Sequence, residues 1–382
     1  MRIVHCLRAP VGGLFRHVLD LARAQATLGH DVGLIADSQV ANPLTEQRLA
    51  ALAPSLTLRI SRIPMPRLPG LMDIAAYRQV VAEMAPLGLD VLHGHGAKGG
   101  AYARLAGRAL KTQGAGVKIF YTPHGGTLHF APGSLEGWFY QSLERGLDRL
   151  TDGLIFESAF AARVYALRIG AGKATRRVIH NGLTPADFTD HKPEPHATDI
   201  VFVGELRDLK GIDVLLRALA YLNVRRPQPL RAAIVGSGPD KAKFERLAQD
   251  LGLASTVVFT GARPAAEAFA LGRILCVPSR KESFPYIVLE AAAAGLPLIA
   301  TDAGGICEIV EGTDTTLIPP DDVPALAAAI TEVTAAPVLA HARAQRLKAA
   351  ILERFTIKGM TDDILQFYRD AGADKGPPAT PA

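Results

Sequence analysis

The sequence predicts an α/β protein with two parallel-sheet, Rossmann-like domains, and three observations carry that reading. Its 382 residues exceed the size at which one hydrophobic core usually stays undivided. From Arg2 onward, short apolar runs of strand length alternate with segments of helical spacing, which is the pattern of βαβ units. After the polar stretch H-K-P-E-P-H-A-T-D, which begins at His191, the alternation restarts with a new strand, so a linker and a boundary near Asp190 are expected.

In the first half, Arg2–Leu7 has the apolar character of a buried strand and the loop P-V-G-G-L follows it. Val18, Leu21, Ala22 and Leu28 then keep helical spacing up to Gly29, and Val32–Ala36 is the second strand. Gly12 and Gly13 sit where such a unit brings its backbone close to a ligand, although a Gly-Gly pair alone is more often a turn. Asp90–His93 is another strand end, followed by H-G-H-G-A-K-G-G. That segment lacks the G-x-x-x-x-G-K-[ST] spacing of a phosphate loop, and an H-x-H pair without a neighbouring third ligand is only a faint metal signal. Val117–Thr122 is a strand that leads into P-H-G-G. Residues 127–140, T-L-H-F-A-P-G-S-L-E-G-W-F-Y, gather Phe130, Trp138, Phe139 and Tyr140 before a helix that contains Gln141–Leu150. This loop either caps the domain or meets lipid or a second substrate. The strand and helix that begin at G-L-I-F-E-S complete the first domain.

The second half opens with the strand Ile200–Gly204 and then E-L-R-D-L-K-G-I-D-V-L-L-R-A-L. After Ala232–Val235 comes G-S-G-P, with Gly236 first; the third glycine of G-x-G-x-x-G is missing because Lys241 stands there, which disfavours a nicotinamide dehydrogenase. Val257–Gly261 is the next strand and loop. Ile274, Leu275 and Val277 form a buried strand that Pro278 ends. A helix is expected directly afterwards, with Ser283 as N-cap, Pro285 in its first turn, the run from Ala291 to Ala294 propagating it and Gly295 ending it. Glu282 then lies just outside the helix and Glu290 inside it, and the free N–H groups at Ser283 and Phe284 suit a phosphate. Helical sequence runs from Val338 to about Arg369, and the tail 373–382 is expected to be disordered.

Composition sets the surroundings. Three widely separated cysteines, Cys6, Cys276 and Cys307, with no C-x-x-C, fit buried thiols in a reducing compartment. With no signal-peptide pattern and no apolar run near the roughly 18 residues of a membrane span, a cytoplasmic protein is expected. The net charge of +5 is unevenly shared. Residues 1–185 carry 21 Lys+Arg against 12 Asp+Glu (+9), and 186–382 carry 21 against 25 (−4). The basic half is either an idle surface property or a face toward an anionic membrane or a pyrophosphate-bearing acceptor. Nothing points to nucleic acid.

The frame P-S-R-K-E-S-F-P with Glu290 eight positions after Glu282, followed by A-G-L-P-L-I-A-T-D-A-G-G, resembles the E-x-x-x-x-x-x-x-E donor motif of retaining glycosyltransferases of family 4. The resemblance covers about residues 1–370 and is strongest over 200–320. It implies the GT-B fold: a Rossmann-like acceptor domain at 1–190 and a Rossmann-like nucleotide-sugar domain at 191–354 facing an interdomain cleft, with a helix at 355–372 returning to the first domain. In that family the first glutamate reaches the transferred sugar and the second the ribose, which implies Glu282 and Glu290 respectively. G-G-L-F-R-H-V-L-D-L-A resembles the acceptor-side G-G-x-x-x-H-V-x-x-L-A and implies a phosphate or acceptor contact for Gly13. His17 belongs to the same pattern, or is simply an interior helix histidine. The T-P-H-G loop resembles T-x-H-G, in which the histidine contacts the transferred sugar, so His124 is a site candidate, and V-I-H-N-G-L resembles the family's hinge.

Lys210 and Gly211 match G-R-L-x-x-x-K-G, but Glu205 stands where that motif has arginine. Arg207, two positions on, is long enough to reach the same phosphate, or Lys210 alone carries the charge. The resemblance further implies a diphosphate held by Lys210 and by backbone N–H groups near Gly13 and Phe284, Ser283 and Pro285 among the substrate-binding residues, nucleotide contact at Gly236, no metal, and no cofactor beyond the sugar nucleotide. It supplies no firmly assigned protein nucleophile. A hexosyltransferase acting on a glycan or lipid-linked glycan of cell-surface polysaccharide, with peripheral contact to the inner face of an anionic membrane, is the expected function. A sugar-nucleotide epimerase, a phosphorylase or an inactive nucleotide-binding module shares the fold and stays open.

Overall fold

The structure, a computed structural model, describes residues 1–40, 43–125 and 134–371. Two compact units divide the chain: Met1–Gly182 together with the segment from Ile357, and Leu183–Thr356. The boundary expected near Asp190 therefore falls inside the second unit. Phe130 with the rest of 127–133, and the tail 373–382, lie outside the described residues.

The first unit contains β1 (Arg2–Leu7), α1 (Gly12–Thr27), β2 (Asp31–Asp37), α2 (Pro43–Leu52), β3 (Ile60–Ile63), α3 (Met72–Met84), β4 (Val91–His95), α4 (Gly96–Thr112), β5 (Lys118–Thr122), α5 (Leu135–Asp148), β6 (Gly153–Phe156), α6 (Ala159–Arg168) and β7 (Thr175–Val178). Its sheet is parallel throughout, in the order β3-β2-β1-β4-β5-β6-β7. The order reverses between β1 and β4, and at such a switch point the carboxyl ends of the strands open a crevice for a ligand. β1 and β4 are buried almost throughout, as strands covered on both faces must be.

The second unit contains β8 (Thr198–Val203), α7 (Ile212–Asn223), β9 (Ala232–Val235), α8 (Lys241–Asp250), β10 (Val257–Gly261), α9 (Ala265–Ala270), β11 (Gly272–Val277), α10 (Tyr286–Ala293), β12 (Leu298–Thr301), α11 (Ile306–Val310), β13 (Leu317–Ile318), α12 (Val323–Ala335) and α13 (Pro337–Arg354). Its parallel sheet runs β10-β9-β8-β11-β12-β13 and switches between β8 and β11. α10 is buried deeply enough that Ala291, Ala292 and Ala293 have no exposed surface, and small side chains there let it lie close against its neighbours.

The last helix, α14 (Ile357–Asp370), belongs to the first unit, where Ile364, Phe367 and Tyr368 pack with Phe120 and Ile155. The helical stretch expected over 338–369 is thus two helices. Phe355, with φ −125 and ψ 65, leaves the helical region, and its carbonyl accepts from the Leu183 N–H.

A second correction concerns the start of α10. Ser283 is not its N-cap: the helix begins at Tyr286, with Pro285 extended at ψ 123 in the N-cap position. The Pro285 carbonyl accepts from Val288, while the Ser283 carbonyl is committed to the Gly305 N–H at 3.0 Å. The C-terminus is as expected, since Gly295 takes φ +66 and Leu296 N–H returns to the Ala291 carbonyl, which is the Schellman arrangement.

Candidate functional site

Two groups of side chains stand at the carboxyl ends of the central strands, one in each unit. In the second unit, the loops after β8 and β11 meet. The Glu282 carboxylate accepts from Lys210 Nζ at 2.6 Å and from Ser279 Oγ at 2.7 Å through the same oxygen, Oε1. Glu282 is 9% exposed, so its charge is mostly removed from water and needs those donors. Gly304 is required beside it: its φ is +64, and a Cβ there would lie 1.8 Å from the Glu282 carbonyl oxygen.

Arg280 fastens the two loops together. Its guanidinium forms a fork with the Asp213 carboxylate, at 2.8 Å on each side, and also donates to the Asp208 carbonyl and to Asp321. Burial pushes the Asp213 carboxyl up, but the hydrogen bonds and charge of Arg280 outweigh it and hold the group below its usual range. Arg280 thereby holds the turn that carries Lys210 against the loop that carries Glu282.

The remaining expected residues of this unit divide. Glu290 sits half-buried in α10, and Pro285 precedes that helix. Phe284 does not face the site: its ring is 4% exposed and packs edge-on against Phe355, leaving its backbone as the only part available to a ligand. Ser283 is half-buried. Gly236 has φ +151, and a Cβ would lie 1.8 Å from the Gly204 carbonyl oxygen, so only glycine lets the ends of β8 and β9 approach this closely. Arg207 is half-exposed and its guanidinium is 3.8 Å from the Glu205 carboxylate, a loose surface pair.

In the first unit, five histidines collect below the switch point: His5 on β1, His17 on α1, His93 and His95 on β4, and His124 in the turn after β5. The parallel register sets His5 beside His93, which is why residues so far apart in sequence share one face. Their nitrogens are linked: His5 Nδ1 to His95 Nε2 at 3.0 Å, His95 Nδ1 to His124 Nε2 at 3.1 Å, and His5 Nε2 to Gln25 Oε1 at 2.8 Å. His93 bonds Tyr368 and Thr122 at 2.7 and 2.9 Å, and His17 Nδ1 bonds Asn181 at 2.9 Å.

Burial pushes the His5 and His17 imidazoles down to about 4. It also carries His93, His95 and His124 well below the ordinary histidine value, with the neighbouring imidazoles adding to the effect. All five are therefore neutral at pH 7. His124 is held at φ +49, a sparsely populated conformation for a non-glycine residue and a mark of a position fixed by its surroundings.

This cluster corrects one reading. The H-x-H pair does have neighbours at ligand spacing, since the nitrogens of His5, His93 and His95, and those of His17, His95 and His124, lie within 4.8 Å of one another. The reading failed because it counted neighbours along the chain, whereas strand order brings β1 and the β5 turn alongside β4. Gly13 is the second residue of α1, exposed, behind an N-cap valine that makes no side-chain cap.

Sequence reasoning also missed Ser279, Arg280, His5 and Gln25. The first two lay in plain view inside the P-S-R-K-E frame. The others carry a signal only once the strand order is known.

Family models match both units. The model described as Glycosyltransferase Family 4 covers residues 11–187, and the one described as Glycosyl transferases group 1 covers 197–336. The chain is 29% identical to D-inositol 3-phosphate glycosyltransferase of Acidothermus cellulolyticus over 97% of its own length and 88% of the relative's. It is also 29% identical to the putative glycosyltransferase EpsD of Bacillus subtilis, over 90% of this chain and 91% of that one. Among solved structures, Anabaena HepE in complex with UDP and glucose superposes with a TM-score of 0.79 at 20% identity, covering 97% of this chain and 100% of HepE. Sucrose-phosphate synthase from Thermosynechococcus elongatus gives 0.78 at 23% identity, with 98% and 100% covered. With two parallel-sheet α/β units and both halves matched by the family's models, the chain belongs to glycosyltransferase family 4, the group 1 glycosyl transferases, and has the GT-B fold.

Proposed function

We propose that this glycosyltransferase moves a hexosyl group, with retention, from a nucleotide-diphosphate sugar to an acceptor. The observation that carries the reading is the Lys210–Glu282–Ser279 constellation at the β8/β11 switch point. A cation already paired with a carboxylate can exchange that partner for a diphosphate, which frees Glu282 for the hydroxyls of the transferred sugar. Glu290 takes the ribose, Gly236 and the backbone N–H groups of Ser283, Phe284 and Tyr286 serve the nucleotide and its phosphates, and Gly13 and His124 act from the first unit. HepE and other structural neighbours are bound to UDP, which makes UDP-sugars the first donors to test. Thermal-shift screening of nucleoside diphosphates, followed by product analysis with the matching sugar nucleotide, tests the reading. Turnover without an acceptor would favour an epimerase, a response to inorganic phosphate a phosphorylase, and nucleotide binding without any product an inactive module.

The acceptor we favour is a glycan or lipid-linked glycan of cell-surface polysaccharide at the inner face of the membrane. α5 supports this, for Leu135, Trp138, Phe139 and Leu143 are exposed on it, and Leu68, Leu71 and Met72 are exposed at the start of α3 in the same basic unit. No single helix among the described residues is long and apolar enough to cross a membrane, so contact would be peripheral. The full chain is expected to float with anionic vesicles and to be released by salt; equal flotation with neutral vesicles would remove this support. A second reading, a phosphorylated cyclitol as acceptor, is favoured by the D-inositol 3-phosphate glycosyltransferases among the relatives. Presenting both acceptors with the identified donor separates the two.

The phosphate site is proposed to work without a metal, Lys210 and backbone donors meeting the leaving-group charge. Excess EDTA should leave the rate unchanged; loss on chelation that manganese or magnesium restores would reassign the diphosphate site.

Arg207 is proposed to supply the cation missing at Glu205. Arg207→Ala is expected to weaken nucleoside diphosphate binding by about 1.5–3 kcal/mol while the nucleoside binds as before. Calorimetry that finds the diphosphate bound as tightly as by the parent leaves Lys210 and the backbone as the whole cationic site.

A further inference from the structure

Four side chains in the first unit stand in one hydrogen-bonded line: Gln25, His5, His95 and His124, with successive contacts of 2.8, 3.0 and 3.1 Å. Gln25 and His5 have no exposed surface and His95 is 1% exposed, so no water competes for the inner contacts. His124 ends the line and is partly exposed.

A neutral imidazole has one N–H and one lone pair. A row of such rings joined nitrogen to nitrogen therefore has two states: every ring donates toward Gln25, or every ring donates away from it. The end group decides between them. The Gln25 oxygen faces His5 and can only accept, while its buried amide nitrogen makes no hydrogen bond among the described residues. His5 must then carry its proton on Nε2 and leave Nδ1 as an acceptor. His95 must donate from Nε2 into that lone pair, and His124 must donate from Nε2 into the Nδ1 lone pair of His95. What remains at the free end is an unprotonated Nδ1 on His124.

We propose that Gln25 is a positioning residue that fixes the tautomer of His124 through His5 and His95, so that His124 presents a hydrogen-bond acceptor, suited to a sugar hydroxyl, and not a donor. The part concerning substrate rests on His124 serving the transferred sugar; the part concerning the tautomer does not. Catalysis depends on this choice wherever a histidine acts, because the wrong tautomer turns an acceptor into a donor at the reacting centre.

The experiment is nitrogen-15 NMR of the full-length chain, labelled at histidine and without ligand, with each ring assigned by its own His→Gln variant. In the parent, His5, His95 and His124 are expected as Nε2–H tautomers. Gln25→Leu removes the acceptor, leaves the His5 Nε2–H without a partner, and is expected to move His124 toward the Nδ1–H form. Its kcat should fall at least about tenfold while the KM for the sugar nucleotide stays within about twofold. A parent in which His124 is mainly Nδ1–H overturns the proposal, and this needs no variant to fold. An unchanged His124 tautomer in a folded Gln25→Leu protein overturns the role of Gln25. A shifted tautomer with unchanged kcat keeps the relay and instead refutes the contact between His124 and the transferred sugar.

Discussion

Glu282→Ala is expected to reduce sugar transfer at least about a hundredfold while the nucleoside diphosphate binds no more weakly than to the parent. The binding half of this result follows from the structure. Lys210 is paired with Glu282 at 2.6 Å, and a diphosphate that recruits Lys210 must displace that contact. Removing the carboxylate removes the competition and leaves a lysine in reach of the phosphates. The activity half rests on the proposed contact with the transferred sugar, where a mostly buried carboxylate would be a fixed charge that water cannot replace. Glu290→Ala should behave in the opposite way and weaken nucleotide binding. Calorimetry with the nucleoside diphosphate and a transfer assay on both variants decide the assignment. An active Glu282→Ala enzyme, or a Glu282→Ala protein that has lost the nucleotide, would show that the two glutamates do not divide the work in this way.

How far the chain could be read before its structure was known depends on where the information lies. β1 and β9 were legible to the residue, because a short apolar run between turns leaves little choice of ends. Glu282 and Lys210 were singled out through the motifs they stand in, whereas Ser279 and Arg280, within three residues of Glu282, were passed over because their bonds to Glu282 and Asp213 show only in the folded chain. The start of α10 was missed since serine and proline at 283 and 285 satisfy the local rules for a helix start, and the competing use of the Ser283 carbonyl by Gly305 is a tertiary contact. The break at Phe355 was missed for the same reason, its carbonyl being bound to Leu183. The histidine cluster was least legible. His5, His17, His93, His95 and His124 come from four separate elements, and each alone looks like an interior histidine or a loop residue. Only the order β2-β1-β4-β5 turns them into neighbours.

That cluster also governs stability, and acid should unfold the first unit early. A histidine in the unfolded chain takes up a proton near 6.5, whereas His5 and His17 in the native state do so only at about 4, and His93, His95 and His124 well below the ordinary value. Between those limits the unfolded state binds more protons than the native state, so stability rises with pH. It is fully present above about 6.5 and is lost as the pH falls toward 4. Each fully shifted group contributes at most about 1.4 kcal/mol per pH unit, so the five together cost several kcal/mol by pH 5, a large part of the usual stability of a domain.

The carboxylates held low by their partners, such as Asp73 and Asp213, cannot produce this loss. They titrate below their ordinary 3.8 and act in a more acidic window. Trp138, the sole tryptophan, lies in α5 of the first unit and reports on that unit during denaturant unfolding. The midpoint it reports is expected to fall markedly between pH 7.5 and 5.5. An unchanged midpoint across that interval would mean that the imidazoles can take up protons in the folded protein, and that the network joining them is open to water.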